Sequence, residues 1–133
     1  MLKLLVRKGF VVSFAMTDKK STDLISFCKD HSIELFVGNP RNGRSKTFII
    51  GREIDVLISI NYLFLIERDL ISLPRLLAFN IHGSLLPKYR GRTPHVWAII
   101  NNEKQTGITA HLIDDNCDTG AILRQVAIQI SDG

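Results

Sequence analysis

The sequence predicts an α/β fold: an open, mostly parallel sheet with helices on both faces. Two observations carry this expectation. Short apolar runs of strand length alternate with helix-length amphipathic segments, the pattern of repeated strand–helix units. One run, Asp55–Ile60, is nearly continuous in apolar residues, as expected for a strand covered on both faces.

In chain order, Met1–Lys8 reads as the end of a helix, and Phe10–Met16, rich in Val and Phe, as a buried strand. Ser21 is placed to cap a helix from Thr22 to about His31, with Leu24, Ile25 and Cys28 on one face. Ile33–Val37 reads as a strand; Asn39, Pro40, Asn42 and Gly43 mark a loop. A short helical stretch is expected near Ser45–Gly51. Asp55–Ile60 is followed by a weaker strand at Leu76–Ile81. Thr93-Pro94 has the form of an N-cap and first turn, opening a helix to about Asn101. Thr106–Ile113 is a strand and Ile122–Ile130 contains another. Their connection is too short for a helix, so these last two suit an antiparallel edge. With no internal repeat, low-complexity tract or linker, the chain reads as one compact unit.

The 133 residues are 45% hydrophobic and 23% charged, the balance of a globular protein and not of a disordered one. No apolar run approaches the roughly 18–20 residues of a membrane span, and the start lacks the apolar core of a signal peptide. Cys28 and Cys117 are too few for a disulfide framework or a metal site, and a reducing cytoplasm is the expected setting. The net charge of +4 is modest and its carriers are scattered, which argues against a polynucleotide partner.

Three stretches carry chemistry. In Asn80-Ile81-His82-Gly83, Asn80 and His82 share a strand face. They sit at the carboxyl end of their strand, the edge where open α/β sheets bind ligands. An amide donates to a carbonyl oxygen gaining charge, and an imidazole shuttles protons near neutral pH. A plain polar strand end is the competing reading. Asp118 lies in the polar loop Asp114–Gly120; of its three carboxylates, one turned inward would meet His82. The alternatives are a solvated turn or a weak cation site, although the spacing is not that of an EF-hand. The loop Pro87–Arg92 sets Lys88, Arg90 and Arg92 beside the same edge. Such cations suit a phosphate or carboxylate, or simply a solvated basic loop.

The run Phe79-Asn80-Ile81-His82-Gly83-Ser84-Leu85-Leu86-Pro87-Lys88-Tyr89-Arg90-Gly91 resembles the signature of the folate-dependent formyltransferases. That family includes methionyl-tRNA, glycinamide ribonucleotide and sugar N-formyltransferases. Thr106-Gly107-Ile108-Thr109 resembles the strand before the family's folate loop, and Asp118-Thr119-Gly120 resembles its Asp motif. The resemblance covers roughly Asp55–Ile130.

It implies a Rossmann-like fold of the formyltransferase type, with the first strand and its Gly-containing loop missing and both ends incomplete. It implies 10-formyltetrahydrofolate as donor, no metal, and Asn80, His82 and Asp118 as catalytic residues. His111 matches a position that is His in some members and is read as a structural histidine beside the site. The pterin pocket corresponds to Leu63, Phe64, Leu65 and Ile66 with Ile113, Asp114 and Asp115. Lys88, Arg90, Gly91 and Arg92 are expected against a phosphorylated acceptor. The expected reaction is formyl transfer to a primary amine, with a nucleotide-linked amino sugar as the favoured acceptor. The alternatives are a fragment like methionyl-tRNA formyltransferase, with tRNA not favoured, and a truncated folate-binding module with little turnover. A homodimer or missing chain segments are the expected cover for an incomplete sheet.

Overall fold

The computed structural model describes residues 1–131, and Asp132 and Gly133 lie outside the described residues. Where the sequence pattern reads as one unit, the chain divides into two. One is Met1–Arg52 with Tyr62–Ile66; the other is Glu53–Asn61 with the chain from Glu67 onward. The physical reason is that strand pairing falls into two separate sheets.

The first unit contains α1 (Leu2–Arg7), β1 (Phe14–Thr17), α2 (Thr22–Asp30), β2 (Glu34–Val37) and α3 (Lys46–Ile49). β1 and β2 pair in parallel, from Phe14 opposite Glu34 to Thr17 opposite Val37. The strand expected from Phe10 starts at Phe14, because β2 offers only these four partners; Phe10 and Val11 are left exposed. α2 forms as its periodicity predicts and buries Cys28 completely. Ser21 does not cap it by side chain. Its hydroxyl instead donates to Asp18 Oδ2 at 3.0 Å, while Asp18 Oδ1 takes the N–H groups of Lys20 and Ser21. Phe48 packs against Phe14 and Phe36 with ring centroids 5.4 and 5.6 Å apart, and the Arg52 guanidinium lies 4.3 Å from the Phe48 centroid. Arg52 also pairs with Glu34.

The second unit contains β3 (Ile54–Ile60), α4 (Arg68–Ile71), β4 (Pro74–His82), α5 (Pro94–Ile100), β5 (Gln105–Leu112) and β6 (Ile122–Gln129). The sheet order is β3-β4-β5-β6. β3 and β4 are parallel; β4–β5 and β5–β6 are antiparallel. The reversal therefore begins one strand earlier than the sequence suggests. β3 is not covered along its whole length, since Asp55 and Val56 are exposed at its start. α4 escapes any periodicity argument because it has four residues. It is held by Leu70, whose near-complete burial contributes about 2 kcal/mol. Among the described residues, no helix is long and apolar enough to cross a membrane.

The β4–β5 register positions the site. Asn80 lies opposite His111, and His82 opposite Thr109. Thr109, fully buried, ties the following loop to the sheet. Its Oγ1 donates to the Ser84 carbonyl at 2.7 Å and accepts from the Leu86 N–H at 3.1 Å and from Gln125 Nε2 at 2.9 Å. Ser84 Oγ in turn donates to the Lys88 carbonyl at 2.6 Å.

Candidate active site

At the carboxyl end of β4, Asn80 and His82 point to one side, and β5 adds His111 to that side from the neighbouring strand. The loop after β5 then returns Asp118 to the same place. Asp118 Oδ1 lies 3.4 Å from Asn80 Nδ2 and 3.3 Å from His111 Nε2; Oδ2 lies 3.5 Å from His82 Nδ1. The three residues singled out in the sequence are thus brought together, with a second imidazole among them.

Asp118 is fixed by its backbone as well as by its partners. It adopts φ +54, a left-handed conformation that costs a non-glycine residue about 1–3 kcal/mol. The Gly91 N–H donates to its Oδ2 at 2.8 Å. Two residues on, Gly120 packs so closely that a Cβ there would stand 1.7 Å from the Leu112 carbonyl oxygen. Burial raises the Asp118 carboxyl, but the Gly91 N–H, the His82 charge, the Cys117 thiol and His111 together outweigh it. The carboxyl is held below its ordinary value and stays ionised.

His82, only 6% exposed, has its closest partner elsewhere: Nε2 is 2.7 Å from the Tyr89 carbonyl. A carbonyl oxygen only accepts, so Nε2 carries the proton and Nδ1 faces Asp118. A main-chain carbonyl thus holds this ring more tightly than Asp118 does. His111, 3% exposed, directs Nδ1 to the Leu112 carbonyl at 2.9 Å and Nε2 to Asn80 Nδ2 at 3.3 Å. The histidine read from the sequence as structural and beside the site lies 3.3 Å from both Asn80 Nδ2 and Asp118 Oδ1. The available signal was alternation with buried Thr109 along β5, but only the cross-strand register places it beside Asn80.

The remaining predicted residues separate into groups. Lys88 Nζ pairs with Glu103 Oε1 at 3.1 Å, Gly91 is engaged with Asp118, and Arg90 and Arg92 are exposed. In the second unit, the Ile113 N–H donates to the Ala78 carbonyl at 3.0 Å. The Asp114 carboxylate accepts from the Thr119 hydroxyl and the Asn116 N–H, which keep it below its ordinary value. Asp115 pairs with Arg68 at 2.6 Å. In the first unit, Leu63 and Phe64 line an open cleft of about 550 Å³ together with Asn39 and Arg44. Leu65 is half exposed and Ile66 partly buried.

Residues 47–133 match the formyl transferase family. Over 140 aligned residues the chain is 35% identical to the bifunctional polymyxin resistance protein ArnA of Wigglesworthia glossinidia brevipalpis. The match takes in 98% of this chain and 21% of that protein, so the chain spans about a fifth of that relative's length. Among solved structures, phosphoribosylglycinamide formyltransferase from Bacillus halodurans superposes with a TM-score of 0.79 at 27% identity, covering 97% of this chain and 72% of that one. WlaRD, a sugar 3N-formyl transferase solved in the presence of dTDP and 5-N-formyl-THF, gives 0.75 at 26% identity, covering 97% and 47%. With its α/β architecture shared by these structures and the family match covering most of its length, the chain belongs to the formyl transferase family.

Proposed function

We propose that this chain transfers a formyl group from 10-formyltetrahydrofolate to the primary amine of an acceptor, with Asn80, His82 and Asp118 as its catalytic residues. The observation that carries the reading is the convergence of an amide, an imidazole and an ionised carboxylate on one strand end, the carboxylate lying 3.4 Å from the amide and 3.5 Å from the imidazole. The amine nitrogen attacks the formyl carbon, and the carbonyl oxygen gains negative charge. The Asn80 amide is the donor to that charge, and the His82 imidazole stands beside it, held by the Tyr89 carbonyl. The contacts of Asn80 Nδ2 with Asp118 and His111, at 3.4 and 3.3 Å, are long for hydrogen bonds, so its N–H groups exchange partners at little cost. Asp118 takes the proton lost by the amine, directly or through water. The new C–N bond persists, the bond from the formyl carbon to the folate nitrogen breaks, and that nitrogen receives the proton.

For the donor, Leu63 and Phe64 offer apolar walls suited to a flat ring, in the line of WlaRD, which was solved with a formyl-folate. Leu65 and Ile66 of the same unit share this assignment; Ile113, Asp114 and Asp115 of the second unit are assigned to the donor by the family resemblance alone. The favoured acceptor is a nucleotide-linked amino sugar, and Arg90 and Arg92 are free of any role in the cluster to meet its phosphates. The glycinamide relatives make a phosphorylated glycinamide the second reading. The cytoplasm is the proposed setting, in line with Cys28 and Cys117 both being free thiols. The test is direct: the purified chain is given 10-formyltetrahydrofolate with amino sugar nucleotides or with phosphorylated glycinamide, and tetrahydrofolate release is followed. Folate binding without release under every acceptor would replace the transferase reading with that of a binding module.

A further inference from the structure

We propose that Glu103 is a positioning residue: through the Tyr89 side chain it fixes the main-chain carbonyl that holds His82. The inference rests on the formyl-transfer reading and extends it to a residue outside the cluster of reacting groups.

Glu103 sits in the turn between α5 and β5, where its N–H donates to the carbonyl of buried Ala98 at 3.0 Å. Its Oε1 accepts from the Tyr89 hydroxyl at 2.8 Å and from Lys88 Nζ at 3.1 Å. The same hydroxyl accepts from Asn101 Nδ2 at 3.1 Å, so the phenol is held from two sides. The Glu103 carboxyl is kept below its ordinary value, first by the Tyr89 hydroxyl and then by Lys88, so it is ionised at neutral pH. A phenol donating to a carboxylate makes a charge-assisted hydrogen bond, stronger than a neutral one.

The backbone shows why such a hold is needed. Tyr89 has φ +56, a conformation that a residue with a Cβ adopts only when its surroundings impose it. In that conformation its carbonyl stands 2.7 Å from His82 Nε2. The carbonyl fixes the proton on Nε2 and turns Nδ1 toward Asp118, 3.5 Å away. Two residues further, the Gly91 N–H reaches Asp118. The loop therefore touches both the imidazole and the carboxylate through its main chain, and Glu103 anchors the loop by one side chain. A surface ion pair with Lys88 alone would contribute little; the Tyr89 bond is what links Glu103 to the site.

The experiment uses the full 133-residue chain and the variants Glu103→Ala, Glu103→Gln, Tyr89→Phe and the Glu103→Ala/Tyr89→Phe pair. Glu103→Ala and Tyr89→Phe are each expected to lower kcat about tenfold, with the donor KM moved by less than about twofold. The double variant should be no worse than either single one, since both break one link. Glu103→Gln, whose amide oxygen still accepts from the phenol, should recover most of the loss. In parallel, nitrogen NMR of the His82 ring should show the proton on Nε2 in the wild type and a mixture of tautomers in Glu103→Ala and Tyr89→Phe. Losses that multiply in the double variant, or an unchanged His82 spectrum in folded single variants, overturn the proposal. The NMR needs no acceptor, so it decides the matter even if the wild-type chain proves to transfer no formyl group. Should Glu103→Ala fail to fold, Tyr89→Phe, which removes a single oxygen, carries the same decision.

Discussion

The segment from Pro87 to Arg92 acts in two ways, and they differ sharply. Its main chain reaches inward: the Tyr89 carbonyl holds His82 and the Gly91 N–H holds Asp118. Its cations face outward: Arg90 and Arg92 are exposed and Lys88 is tied to Glu103. The difference teaches that a basic loop beside a candidate active site need not contribute mainly through its charge. Backbone groups are rigid, carry no rotamer entropy and keep their place in a buried site, whereas long charged side chains remain solvated.

The contrast breaks first at the buried groups. Asn80→Ala or His82→Ala should lower turnover at least about a hundredfold, if Asn80 is the donor to the developing oxyanion and His82 the imidazole beside it, as proposed. Purified variants that fold, as judged by circular dichroism, yet retain near-wild-type kcat would sink the assignment. Next in size is a purely main-chain effect. Gly120→Ala must move the Leu112 carbonyl, which a Cβ would meet at 1.7 Å. We expect a loss of about 3 kcal/mol in urea unfolding, and a midpoint equal to wild type would mean that the close approach is not rigid.

A smaller effect follows pH. The Asp118 carboxyl is lowered on folding, so its contribution to stability is present above the unfolded value near about 4 and is lost as pH falls through the lower folded value. Comparing melting temperatures at neutral and acid pH, the wild type should lose more than Asp118→Asn, whose Asn tolerates the left-handed backbone. Parallel curves would show that the carboxylate is not held by its neighbours. The smallest effect belongs to the exposed cations. Arg90→Ala and Arg92→Ala should change stability by less than about 0.5 kcal/mol and act, if on turnover at all, through acceptor KM. A kcat loss as large as that of His82→Ala would erase the distinction between the two faces of the loop.

The sequence by itself determined the α/β class, most strands and α2, because period-2 and period-3.6 patterns depend only on neighbours along the chain. It also determined that Asn80 and His82 share a face, since alternation along a strand is local. Only the tertiary structure decided the rest. The antiparallel β4–β5 pairing places His111 opposite Asn80, and no local pattern encodes that register. Asp118, 38 residues beyond Asn80 in sequence, is folded back by its own left-handed backbone and by the Gly91 N–H. The Tyr89 carbonyl and the Glu103 anchor were invisible for the same reason: every residue carries a main-chain carbonyl and all but proline an N–H, so side-chain identity cannot say which of them will be turned toward a site.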